Sequence, residues 1–254
     1  MKNSRRKNYK MKIRAILLTA LAILICLLAF VGCDEEESTL YADNGLEYVV
    51  NSDGVTCTIV GIGKCTDTVI TVPANINKYK VTAIGKEAFC SGNYEICADI
   101  TEMILPEGLE MIGELAFNDC TSLEKINLPN TITEMGLGAF WGCTSLDNVT
   151  LPTGISVISS QLFYKCTSLK EITIPENVKI IEEGAFTVSG IVTVRIEAKL
   201  EKIGSLAFFY CEELKDLYFN GTFAEAQAVG QGEGWIAGYV TIHCTDRDCT
   251  PDDI

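Results

Sequence analysis

Between residues 106 and 219 the apolar positions of this chain recur at a nearly constant interval. The stretch PEGLEMIGELAFNDCTSLEKINL (106–128) is followed by PNTITEMGLGAFWGCTSLDNVTL and then PTGISVISSQLFYKCTSLKEITI, a period of 23 residues. A copy one residue shorter, PENVKIIEEGAFTVSGIVTVRI, ends at Ile196, and EAKLEKIGSLAFFYCEELKDLYF ends at Phe219. Within each copy two apolar residues alternate with polar ones, as Ile126 and Leu128 do before Pro129. This period of two marks a half-buried strand. Proline ends it, since it has no N–H to give a ladder. A second short apolar pattern follows (Ile132, Met135), Gly136 permits a tight bend, and Ala139-Phe140 drives an aromatic inward. Stacked copies would align their strands as one parallel sheet with a spacing of about 4.8 Å and their phenylalanines as a second column.

The same skeleton extends upstream. VPANINKYKVTAIGKEAFCSGNYEICADITEMIL carries it with two five-residue insertions, one on each side of Ala88-Phe89. Residues 56–72, TCTIVGIGKCTDTVITV, keep the strand-like end alone. About six coils therefore lie between Val72 and Phe219, flanked by atypical ends that must cap an open core. A fixed period of this length specifies a repeat solenoid, whose coils bury their hydrophobic faces against each other.

The unit PxxxxxIGxxAFxxCTSLxxIxL resembles the leucine-rich repeat of the BspA-like bacterial surface proteins. Residues 56–72 and YVTIHCTD (239–246) resemble that family's opening and closing segments, so the resemblance covers about residues 46–250. It implies a right-handed leucine-rich-repeat coil stack, β-rich, with a parallel sheet on one face and short strands or helical turns on the other. It also implies an exported protein, from a family associated with adhesion to host matrix proteins and to other bacteria. The departures are Leu162-Phe163 in place of Ala-Phe, Ser159-Ser160 in place of a glycine, and a missing cysteine after Phe186.

The N-terminus bears on location. Seven cations (Lys2, Arg5, Arg6, Lys7, Lys10, Lys12, Arg14) precede an almost wholly apolar run from Ala15 to Gly32, the form of a secretory leader. It ends in Phe30-Val31-Gly32-Cys33, which resembles a lipoprotein box and makes Cys33 the candidate for lipidation; an uncleaved membrane anchor is the alternative. The expected organisation is a signal peptide over 1–32, an acidic tether over 33–45, and one repeat domain over 46–254. Within that domain 46–72 would cap the N-terminal end, 73–219 would form the repeats, and 220–254 would cap the other end. On this reading the globular part is exported and lipid-anchored to the membrane, facing the periplasm or the exterior.

Composition narrows the partners. The net charge of −14 becomes −21 once the seven leader cations are set aside. Such a surface repels nucleic acid phosphates and anionic membranes, and it favours a soluble monomer. Cys120, Cys143, Cys166 and Cys211 share one repeat position, joined by Cys97 through the insertion, and read as buried thiols. Cys57 with Cys65, Cys90 with Cys97, and Cys244 with Cys249 could each close a short loop, because an exported location permits bridges. His243, Cys244, Asp246, Asp248 and Cys249 crowd together, yet their spacing is wrong for zinc and His243 is the one histidine of the chain. They read as a capping turn, and no cofactor is expected. With no nucleophile motif around His243 and no phosphate loop (GIGK at 61–64 is a turn), catalysis is not expected either.

Two surfaces remain. The outward strand positions Glu102, Lys125, Asn127, Asn148, Thr150, Glu171, Thr173, Arg195 and Tyr218 form a candidate face for an extracellular protein partner, from host matrix or another cell surface. One residue past each phenylalanine, Trp141, Tyr164 and Phe209 form a broken aromatic column suited to a glycan, interrupted by Asn118 and Thr187. A structural envelope role without a dedicated ligand is the third reading.

Overall fold

The computed structural model describes residues 40–90, 95–236 and 238–254. The leader and Cys33 lie outside the described residues. From Leu40 to Ile254 the chain forms one compact unit, a solenoid in which a regular coil contributes to three ladders. The first is the expected parallel sheet: Val69–Thr71, Glu102–Ile104 and Lys125–Asn127, then Glu171–Ile174, Thr193–Ile196, Asp216–Phe219 and Thr241–His243. Its register places Ile70, Met103 and Ile126 in one buried line, and Ile172, Val194, Leu217 and Ile242 in another. The second ladder consists mostly of two-residue strands, among them Met111–Ile112, Glu134–Met135, Val157–Ile158 and Ile180–Ile181.

The third ladder runs through the turns that carry the phenylalanines. Alternate amides there donate to the next coil: Leu115 N to Leu137 O (2.9 Å), Phe117 N to Ala139 O (2.8 Å) and Asp119 N to Trp141 O (2.7 Å). This zigzag requires a left-handed residue once or twice per coil. Glycine fills it at Gly138, Gly142 and Gly184, but Leu115, Gln161, Lys165, Val188 and Leu206 adopt the same positive φ, between 53 and 60°. Each non-glycine there costs roughly 1–2 kcal/mol, a cost borne only because the main chain is hydrogen-bonded on both sides.

Inside these ladders the aromatic column is continuous. Phe89, Phe117, Phe140, Phe163, Phe186 and Phe208 are fully buried, and neighbouring rings lie 5.1–5.6 Å apart with planes within 8° of parallel. Trp235 closes the column edge-on to Phe208, at 6.4 Å. Beside it runs the thiol column. Cys120, Cys143, Cys166 and Cys211 are buried, and each Sγ donates to the carbonyl of the preceding coil's phenylalanine at 3.1–3.2 Å. Ser189 occupies the missing cysteine's place and hydrogen-bonds to Cys211 Sγ at 3.3 Å. Burial pushes the Cys143 thiol well above its ordinary pKa. The ten cysteines from Cys57 to Cys249 are all free thiols, the three off-register pairs included.

Three features depart from the expected layout. The tether ends sooner than residue 45, because Leu40 and Tyr41 pair antiparallel with Tyr48 and Glu47. The segment after Phe219 does more than cap: Gly230–Gln231 and Thr241–His243 continue two ladders in parallel register, so it supplies a further coil. Helix Phe223–Ala228, closed by a Thr222/Glu225 capping box, lies within that coil, and the antiparallel strand Asp248–Cys249 covers the last sheet edge.

The third departure is that the parallel sheet is split in two. Residues 147–151 join neither the strand Lys125–Asn127 nor Glu171–Ile174, and their main chain makes no main-chain hydrogen bond to either neighbouring coil. The second ladder lapses at the same boundary, between Glu134–Met135 and Val157–Ile158. One side chain accounts for the lapse of the second ladder. In regular coils the amide of the bend residue donates to the coil before it, as Gly113 N does to Ile84 O and Gly136 N to Ile112 O, both at 2.8 Å. At Ser159 the hydroxyl takes that acceptor, Met135 O. A Cβ alone does not break the bond, since Glu182 carries one at the equivalent place and keeps its amide on Ile158 O at 2.8 Å. On the sheet face, the Asn127 carboxamide receives Leu105 N (2.7 Å) and donates to Leu105 O (2.9 Å), which ties the last paired strand to the coil before it and not to 147–151.

Candidate functional site

The sheet face presents its outward residues as a grid. Glu171, Thr193, Asp216 and Thr241 share one row, and Thr173, Arg195, Tyr218 and His243 the next. Before the split, Glu102 faces Lys125 and Ile104 faces Asn127. Lys125, Asn127, Asn148, Thr150, Glu171, Thr173, Arg195 and Tyr218 are exposed, and Glu102 is half-buried. The face therefore brings together most of the residues expected on it, but Asn127 is not free, since its amide is committed to Leu105. Where the ladder lapses, a cleft opens that is lined by Glu102, Lys125, Asn127, Asp147, Asn148 and Thr150 over an apolar floor of Ile126, Leu128 and Val149.

At the C-terminal end of the face three side chains stack across adjacent strands. The Arg195 guanidinium lies 4.5 Å from the centre of the Tyr218 ring, and His243 stacks on Tyr218 at 4.6 Å with a 17° tilt. Both nitrogens of His243 are engaged, Nε2 with Asp216 Oδ1 and Nδ1 with Asp248 Oδ1, each at 2.9 Å. The hydrogen bond to Asp216, supported by the one to Asp248, raises the imidazole above its ordinary pKa against a smaller desolvation effect. The stabilisation from this clasp is complete below the ordinary value of about 6.5 and is lost as pH rises through the raised one. With both nitrogens engaged by carboxylates, the ring is held as a clasp between Asp216 and Asp248. Sequence reading assigned His243 to a capping turn and missed its place on the face. The signal was there: Thr241-Ile242-His243 repeats the out-in-out pattern of Asp216-Leu217-Tyr218 one coil later.

A family model described as the BspA type leucine rich repeat region matches residues 82–215 in six copies. The chain belongs to this family. A leucine-rich repeat protein of T. pallidum shares the fold at 23% identity with a TM-score of 0.54, over 79% of this chain and 84% of that one. A leucine-rich cell surface protein from Faecalibacterium prausnitzii is 29% identical with a TM-score of 0.55, over 72% of this chain and 55% of that one. The chain thus spans about half the length of the F. prausnitzii protein. No curated protein matches it.

On this BspA-type scaffold the aromatic column is shorter than the spacing suggests. Trp141 and Tyr164 meet at 4.4 Å with a 41° tilt and are half-buried. Phe209 is cut off from them by Thr187 and packs instead on its neighbour Tyr210 at 4.1 Å. Lys165 lies 5.6 Å from the Tyr164 ring centre. Only two of the three rings form a platform. Among the described residues no helix is long and apolar enough to cross a membrane.

Proposed function

We propose that this BspA-type protein is a non-catalytic binding module, exported and tethered through Cys33, which docks an extracellular protein on its sheet face. The observation that supports this reading is the grid itself. The parallel strands hold outward residues whose chemistry changes from coil to coil, ending in an Arg195–Tyr218–His243 stack that includes arginine and tyrosine, two residue types enriched at binding hot spots. The similarity to a cell-surface protein supports the location. The tether has its own check: Cys33→Ser should abolish metabolic labelling with palmitate, and a mutant still labelled would remove the anchor from the account.

Docking is tested by measuring capture of the protein on immobilised host matrix proteins and on bacterial cells. Thr150→Lys with Thr173→Lys plants two cations in the middle of the face and should reduce capture at least tenfold, by about 1.4 kcal/mol or more, with little change in melting temperature. Trp141→Ala with Tyr164→Ala should leave capture unchanged. The reverse pattern would move the site to the aromatic pair and favour a glycan ligand.

A further inference from the structure

Arg195 places a positive charge on the sheet face of an acidic chain. Among the described residues it has no ion pair, and the Tyr218 hydroxyl has no hydrogen bond. Arg195 is nevertheless not loose. Its guanidinium is laid on Tyr218, Tyr218 is stacked against His243, and His243 is held by Asp216 and Asp248. Each member of this series fixes the one before it. A guanidinium held over a ring by a cation–π contact keeps N–H donors free, and its fork matches a carboxylate bidentately. The groove around it is lined by Glu197, Tyr218, Asn220, His243 and Thr245, with Ile196 and Phe219 behind.

We propose that this groove is a carboxylate-recognition subsite, in which Arg195 takes an aspartate or glutamate side chain of the docked protein. The proposal rests on the sheet-face reading above and names the chemistry its partner must carry. Three observations select this occupant. A sugar ring has no aromatic plane to stack on, because Arg195 and His243 cover the two faces of Tyr218 from the flanking strands. A dianionic phosphate would meet the carboxylate of Glu197 on the groove wall, whereas a monoanion meets less repulsion. Immobilising Arg195 in advance also removes much of the side-chain entropy that an exposed arginine loses on binding.

The test uses the full-length protein and follows the backbone amide resonances of residues 195, 218 and 243 by NMR during titration. The probes are N-acetyl-glutamate amide, its glutamine counterpart, glucuronate and methyl phosphate. Saturable shifts with the glutamate compound, and none with the glutamine compound, are expected. Arg195→Lys keeps the charge but loses the fork, and should weaken binding about tenfold. Tyr218→Leu leaves Arg195 in place but unfixed, and should weaken binding severalfold. Non-saturating shifts, equal binding of the glutamine compound, or unchanged affinity in Tyr218→Leu would each overturn the proposal. Tighter binding of methyl phosphate would reject a carboxylate occupant, and tighter binding of glucuronate would reject a protein source. Loss of carboxylate binding alongside an intact effect of the Thr150/Thr173 change would defeat this subsite and leave the docking face standing.

Discussion

Phe140 lies between Phe117 and Phe163, at 5.3 and 5.4 Å, and touches no solvent. Cutting it to alanine removes a ring from a filled column and should cost about 3–5 kcal/mol. Because each coil contacts only its neighbours, the loss falls on the interfaces in the middle of the stack. Thermal unfolding of Phe140→Ala, followed by circular dichroism, should therefore be broader than wild type or show two steps. A single transition of wild-type sharpness would show that the halves are coupled by more than the column. Phenylalanines and cysteines of this kind were legible in the sequence, because a buried position tolerates few residue types and its period survives. The left-handed residues were not. Leu115, Gln161, Lys165, Val188 and Leu206 share a conformation that glycine would mark, but their ladder bonds tolerate the strain and so leave no compositional trace.

At the scale of elements, the strand pattern predicted one continuous sheet on this face, and the face carries two. Residues 147–151 show the same apolar-polar alternation as their neighbours, with Val149 and Leu151 buried, and they sit in the proper place without joining a ladder. Alternation reports which face is buried, but it does not report hydrogen bonding to the next coil. In the second ladder that depended on Ser159, which read as an ordinary polar substitution. Unpaired amides exchange with solvent more readily than laddered ones. Hydrogen exchange at 147–151 should be at least about tenfold faster than at 171–174 or 193–196, despite a more central position. Ser159→Gly removes the competing hydroxyl and should slow exchange of the amide at 159, as Met135 O becomes available to it. Protection at 147–151 equal to that of the flanking strands would show that the sheet is continuous in solution.

For the whole molecule, repetition made the fold readable and the working surface only partly so. The period located every outward strand position up to Tyr218, yet it could not say that Asn127 is turned back on Leu105. Nor could it say that the segment after Phe219 forms a further coil and brings His243 onto the face. Both depend on contacts between coils, which differ from one repeat to the next even where the motif does not. On the proposed function the same variation would make the face specific: a ladder of identical residues would bind without discrimination, whereas this one runs from Lys125 through Thr150 and Thr173 to Arg195. Its acidic surroundings keep the remaining surface from adhering by charge alone.

The most direct test places a photo-cross-linking benzoyl-phenylalanine at Thr173 in one variant and at Tyr164 in another, on intact cells in contact with host matrix. Cross-linked adducts, identified by mass spectrometry, should form with a protein from Thr173 and not from Tyr164. Adducts from Tyr164 with none from Thr173 would contradict the assignment of the sheet face as the surface that binds.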